Sequence, residues 1–365
     1  MNREFSRSKT AKMMFVALCV IAIKFRHAST DQVTNNPPWF QQNLKANEVD
    51  AMINANASRI DETYKGAYVG DNNDGLTGLM YEIKAGYPEN ARVFILRGAS
   101  LDMHAKNAVE MRAGPTPTRE ESLNERYYQA TALHMALMNA NDDTNYGIAK
   151  DLILGITRTE SNGDTVIAKA SVQERNGFGF TPLHTVVASI ETDDATTNMD
   201  PNSTLGQVNL IGETTRNRRV EFIKLLMDAV GNKTSQEGFL NAQDDEGNTI
   251  LHILAQRNAL NTIEWLISTY GRMLKLDIRN KPLFVNDVGK NQYPNGMTPA
   301  ELARDSGYGA ACAGRLDVEL ERYNNKSISE EDYKNHPKFN DIPVPAPIYD
   351  AATAPAPIPV PTSAP

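Results

Sequence analysis

The chain has 365 residues, is 41% hydrophobic and carries a formal net charge of −8 at pH 7. That length and apolar content support a sizeable buried core, and the negative balance weighs against a phosphate-backbone partner. Its two cysteines, Cys19 and Cys312, exclude a disulfide framework.

Residues 1–30 hold Arg3, Arg7, Lys9, Lys12, Lys24 and Arg26 against Glu4, a net +5 that leaves about −13 for the remainder. Between the basic clusters lies an apolar run, Met13–Ile23. Its length matches the hydrophobic region of a signal peptide and falls short of a spanning helix. Export or secretion is the expectation, with membrane contact through this segment alone. The flank is imperfect, because Lys24, Arg26 and His27 precede the small residues Ala28-Ser29-Thr30. A buried amphipathic start in a cytoplasmic protein, or an uncleaved anchor, is the alternative.

Residues 31–68 open with Pro37-Pro38-Trp39-Phe40, and Leu44, Val49, Met52, Ile53 and Ile60 then predict one or two helices. From residue 69 to 323 one grammar recurs. A turn leads to a threonine able to accept bonds from the free N–H groups of a helix start, followed by apolar residues at helical spacing. The fullest copy is Thr181-Pro182-Leu183-His184, and Thr249-Ile250-Leu251-His252 shares three of its four residues. Thr77, Thr131 and Thr298 head the others, and Pro182 and Pro299 take the first helical position, where a missing N–H costs nothing. A second apolar run follows each of the first four, at Ala91–Asp102, Ile148–Gly155, Val220–Gly231 and Ile263–Gly271. Glycine stands where a helix end favours the left-handed conformation.

The five threonines are 54, 50, 68 and 49 residues apart. Insertions are therefore expected near 107–125, 190–215 and 272–295. The break Gly114-Pro115-Thr116-Pro117 falls in the first, and a further helix is predicted over Glu120–Tyr128. The second is rich in Thr, Asp and Asn with little apolar period, so it is expected to be a solvated loop. Ala310-Ala311-Cys312 and Leu316–Tyr323 predict a closing helix. Residues 324–341 read as a polar linker. Residues 342–365 alternate Pro with small or β-branched residues, which favours a disordered, extended rod over a core.

Taken together, these motifs resemble the ankyrin repeat, whose unit is a turn plus two helices carrying a Thr-Pro-Leu-His signature. Arg97-Gly98-Ala99-Ser100-Leu101-Asp102 is similar to the Gly-Ala-Asp ending of that family's second helix. The resemblance implies an all-α solenoid of about five units over residues 69–323, with residues 31–68 covering its first apolar face. The spacing departs from the family's period of about 33. Glu82 also stands where the family has a tiny alanine, which puts the geometry of the first unit in doubt.

The implied function is protein–protein recognition through a concave face and a row of finger turns, with a monomeric chain and a basic protein as the expected partner. Counting from each cap threonine, the positions expected at the exposed ends of the first helices are Lys84, Met138, Asn139, Ser189, Gln256, Arg257 and Asp305. The expected finger tips are Asn72, Asn73, Asp244, Asp245, Asn291 and Asn295. A modifying enzyme that docks through the repeats is the rival reading, but no segment outside them is long enough for a second domain. A structural tether is the third.

No catalytic, metal or cofactor site is expected. His134, His184 and His252 hold one slot in three units, which predicts buried imidazoles bonded to the cap threonine or a neighbouring loop rather than metal ligands. Gly177-Phe178-Gly179 lacks the lysine of a phosphate loop. Asp71-Asn72-Asn73-Asp74-Gly75 has glycine in place of the fifth ligand of a calcium loop. Asn-x-Ser/Thr sites at Asn56, Asn202, Asn232 and Asn325 matter only on a glycosylating secretory route.

Overall fold

The structure is a computed structural model that describes residues 36–65, 75–105, 129–138, 140, 143–160, 162–189, 205–281, 295–306 and 310–324. The signal-like segment, the Pro-rich tail, the predicted Glu120–Tyr128 helix and the insertion near 107–125 lie outside them.

The chain is mostly helical. Helix α1 (Ala46–Ala55) starts where the Glu48 carboxylate accepts the Lys45 N–H at 2.7 Å, and it buries Val49 and Ile53. Before it, Trp39 is fully buried edge-on against Phe94, with ring centroids 5.7 Å apart. After it, Thr63 bridges Thr77, and the Tyr64 N–H reaches the Leu76 carbonyl at 2.7 Å. Residues 36–65 thus lie as one cover on the first helical pair.

That pair is α2 (Gly78–Ala85) and α3 (Pro88–Leu96). The Thr77 hydroxyl accepts the Met80 N–H, and Gly86 closes α2 at φ +79°. Gly78 has to be glycine for another reason. A Cβ there would fall 2.4 Å from the Phe94 ring and 2.7 Å from the Trp39 indole nitrogen.

The next pair is α4 (Ala132–Met138) and α5 (Asp143–Leu154). Here the all-helical expectation needs correction, because a two-stranded antiparallel sheet follows. Strands β1 (Ile156–Thr159) and β2 (Thr165–Ala168) pair Ile156 with Ala168 and Thr159 with Thr165. The connection is closed by the Gly163 N–H on the Glu160 carbonyl, with Gly163 at φ +87°. Ile156, Arg158, Val166 and Ala168 turn toward the body, whereas Thr157, Thr159, Thr165 and Ile167 face outward. Arg158 fastens the hairpin to the end of α3 by donating to the Ile95 carbonyl.

Helices α6 (Pro182–Ala188) and α7 (Leu205–Val230) form the third pair. Residues 205–215, expected within a loop, are instead the first turns of α7. Helix α8 (Lys233–Leu240) follows, capped by the Asn232 side chain on the Ser235 N–H. Then come α9 (Ile250–Gln256) and α10 (Leu260–Tyr270), a 3₁₀ turn over Gly271–Met273, and finally α11 (Pro299–Asp305) and α12 (Ala310–Asn324). The expected closing helix is α12.

The first helices pack side by side in the order α2, α4, α6, α9, α11, and behind them α3, α5 and α7 pack in sequence. One apolar core runs from Trp39 to Leu316. Tyr146 and Lys150 on α5 both bond the Glu221 carboxylate on α7, and Arg92 on α3 bonds Asp151 on α5 at 2.7 Å. These bonds link second helices to one another. Among the described residues no helix is long and apolar enough to cross a membrane.

Candidate partner-recognition face

The face is set by how three of the helix starts, those of α4, α6 and α9, are each tied to the next. At α4, the His134 Nδ1 lies 2.8 Å from the Thr131 hydroxyl and 3.4 Å from the Thr131 N–H, while Nε2 lies 2.8 Å from the Phe180 carbonyl. At α6, His184 repeats the contact to Thr181 at 2.8 Å and reaches the Asn248 carbonyl at 3.3 Å. At α9, His252 contacts Thr249 at 2.9 Å and the Met297 carbonyl at 2.9 Å. Phe180, Asn248 and Met297 each immediately precede the next cap threonine.

This geometry settles the protonation of the rings. A carbonyl oxygen only accepts, so Nε2 carries the hydrogen and Nδ1 accepts from the threonine. Burial pushes all three imidazoles down to about 4, so they are neutral at pH 7. With both nitrogens of each ring engaged, no lone pair is left for a metal or a proton relay. The three imidazoles are thus buried and bonded to the cap threonine and the neighbouring loop, as their shared slot predicts.

The turns ahead of the caps are built alike. Asn176 Oδ1 accepts the N–H groups of Phe178 and Phe180, each at 3.0 Å. Asp244 Oδ1 accepts those of Glu246 and Asn248 at 2.9 and 2.8 Å. Neighbouring turns then join through the backbone, Asp245 N–H to Phe178 carbonyl at 3.0 Å and Lys281 N–H to Glu246 carbonyl at 2.8 Å.

A second ladder escapes the sequence reading. Arg175 donates to the carbonyls of Gly179 in its own turn and Gln243 in the next. Gln243 likewise donates to Gly247 and Arg279, and Arg279 donates to Gly296. Arg279 also grips the Glu301 carboxylate with two bonds of 2.8 and 2.9 Å. The only available signal was position, since each of the three directly precedes the Asn or Asp that shapes its turn.

The expected partner-binding residues divide accordingly. Gln256, Asp305, Asp245 and Asn295 are exposed, and Lys84, Met138, Ser189 and Arg257 are half-buried. Lys84, Met138, Ser189, Gln256 and Asp305 stand at or beside the C-terminal ends of α2, α4, α6, α9 and α11, which pack in that order. Asp244 is a correction. It is buried rather than a finger tip, because its carboxylate is consumed by the N–H groups of its own turn, and burial raises its pKa to about 6. Asn139, Asn291, Asn72 and Asn73 lie outside the described residues.

No protein-family model matches the chain, and no curated protein matches it in sequence.

Proposed function

We propose that the chain is a protein-recognition scaffold built as a solenoid of ankyrin-type units, binding another protein through the edge of the first helices and the finger turns. The observation that carries this reading is the threefold bridge from a cap threonine through a histidine to the carbonyl ahead of the next cap. A bond that links each unit to the following one in the same way is what a stack of like units requires. Such a stack presents a long rigid row of positions, and Asp245, Gln256, Asn295 and Asp305 are the exposed ones among the expected positions in the described residues. The histidines serve the stack rather than chemistry, which favours a binding protein over an enzyme. An excess of acidic groups favours a basic partner.

The test is affinity capture with the full chain, repeated with an Asp245→Arg, Gln256→Glu, Asp305→Arg variant. The proposal expects a protein held by the parent and lost by the variant, with unchanged circular dichroism. A partner retained equally by the variant would overturn the assigned face.

A further inference from the structure

The first helical pair contains a carboxyl group with no function in the stack. Glu82 on α2 is fully buried. Its Oε2 accepts from Asn90 Nδ2 on α3 at 3.0 Å, and the same nitrogen donates to the Leu44 carbonyl of the covering segment at 3.1 Å. Asn90 is therefore a bridge from Glu82 to the cover. Among the described residues, Glu82 Oε1 and the Trp39 indole Nε1 are buried with no hydrogen-bond partner. The indole nitrogen sits against Gly78, one helical turn from Glu82 on the same face of α2. An orphan acceptor and an orphan donor are thus held at one seam, between the cover and the first pair.

We propose that residues 36–65 are a releasable cap on the first helical pair, let go as the buried Glu82 carboxyl beneath it loses its proton. A neutral carboxyl tolerates this apolar seam, where Trp39 and Phe94 exclude water. A carboxylate there lacks solvation, and opening the cap restores it. The charged groups around the seam are engaged elsewhere. Arg92 on α3 holds Glu89 and Asp151, Asp50 on α1 holds Arg97, and Glu48 holds the Lys45 N–H. Asp61 accepts the Ser100 N–H, and His134 on α4 holds Thr131 and Phe180. Lys84, on α2 itself, is half-buried two residues beyond Glu82. Burial first, and the Asn90 amide against it, place the Glu82 proton at about 7, up from 4.5.

The sign follows from linkage. The closed cap binds the proton more tightly than the open one, so closure is favoured at low pH and weakened as pH rises from 4.5 through 7. Between pH 5 and 8.5 the open fraction should rise roughly a hundredfold and then level off. Amide hydrogen exchange of the full chain, corrected for the intrinsic rate, reads this directly. Amides of α1 and of residues 36–44 should lose protection over that range, those of α5 should not, and Glu82→Gln should flatten the α1 profile. A flat α1 profile in the parent, an equal rise in α5, or undiminished pH dependence in Glu82→Gln would each overturn the proposal.

Discussion

His134 and Phe180 are 46 residues apart in sequence and are joined by a 2.8 Å hydrogen bond from the imidazole Nε2 to the backbone carbonyl. The bond leaves one helix start and ends at the residue before the next. A single side chain thereby caps its own helix and fixes the distance to the following one.

Removing such a side chain has two effects. His184→Ala strips the acceptor from the Thr181 hydroxyl and N–H inside the core, and removes one of two donors to the Asn248 carbonyl, which keeps the Asp244 N–H. A loss of about 1–3 kcal/mol is expected from unsatisfied buried groups. Denaturant midpoints at pH 7 measure it.

The pH dependence has a definite sign. The three histidines have folded values lowered from 6.5 to about 4, so their contribution is full above pH 6.5 and is lost as pH falls toward 4. Glu82 and Asp244 are raised to about 7 and about 6, so their contributions act in the opposite sense, being lost as pH rises. Near pH 5.5 three groups oppose two, and stability should rise with pH by about one proton's worth, ~1.4 kcal/mol per pH unit. His184→Gln removes one of the three and should bring that slope close to zero. Denaturation curves taken at pH 5, 5.5 and 6 separate the two.

Two adjacent aspartates should behave differently. Asp244→Ala strips acceptors from the N–H groups of Glu246 and Asn248 and should destabilise by about 1–3 kcal/mol. Asp245→Ala, at an exposed side chain, should leave stability within about 0.5 kcal/mol and weaken partner binding instead. Thermal unfolding and a binding isotherm on both variants check the contrast.

Glycines separate strain from crowding. Gly86 and Gly296 have similar backbone angles, φ +79° and +71°, but a Cβ at Gly86 meets nothing within 4 Å, whereas one at Gly296 falls 1.8 Å from the Asn280 carbonyl oxygen. Gly86→Ala should cost about 1 kcal/mol from the left-handed backbone alone. Gly296→Ala should cost clearly more, because backbone has to move. Comparing their melting temperatures tests it.

Much of this architecture is legible in sequence because it rests on local chemistry. Threonines 77, 131, 181, 249 and 298 each directly precede a helix, and Gly98, Gly155, Gly231 and Gly271 end the second helices at positive φ. The burial of three histidines follows from their shared slot. The hairpin is another matter. Its alternation and Asn162-Gly163 turn are present, but four-residue strands are short against the helical signal on either side. Residues 205–215 hold apolar side chains only at Leu205, Val208, Leu210 and Ile211, a short signal beside the Thr-, Asp- and Asn-rich residues before them. Their helix continues that of a packed C-terminal half. Asp244 is misplaced by counting alone, since register gives a position along a turn but not the direction of its side chain.

The central claim is that one bridge, repeated, stacks the helical pairs, and histidine ¹⁵N NMR at pH 5.5 tests it most directly. His134, His184 and His252 should all appear as neutral rings protonated at Nε2, with slowly exchanging Nε2 hydrogens. Imidazolium signals from these three at that pH, or averaged tautomers, would contradict it.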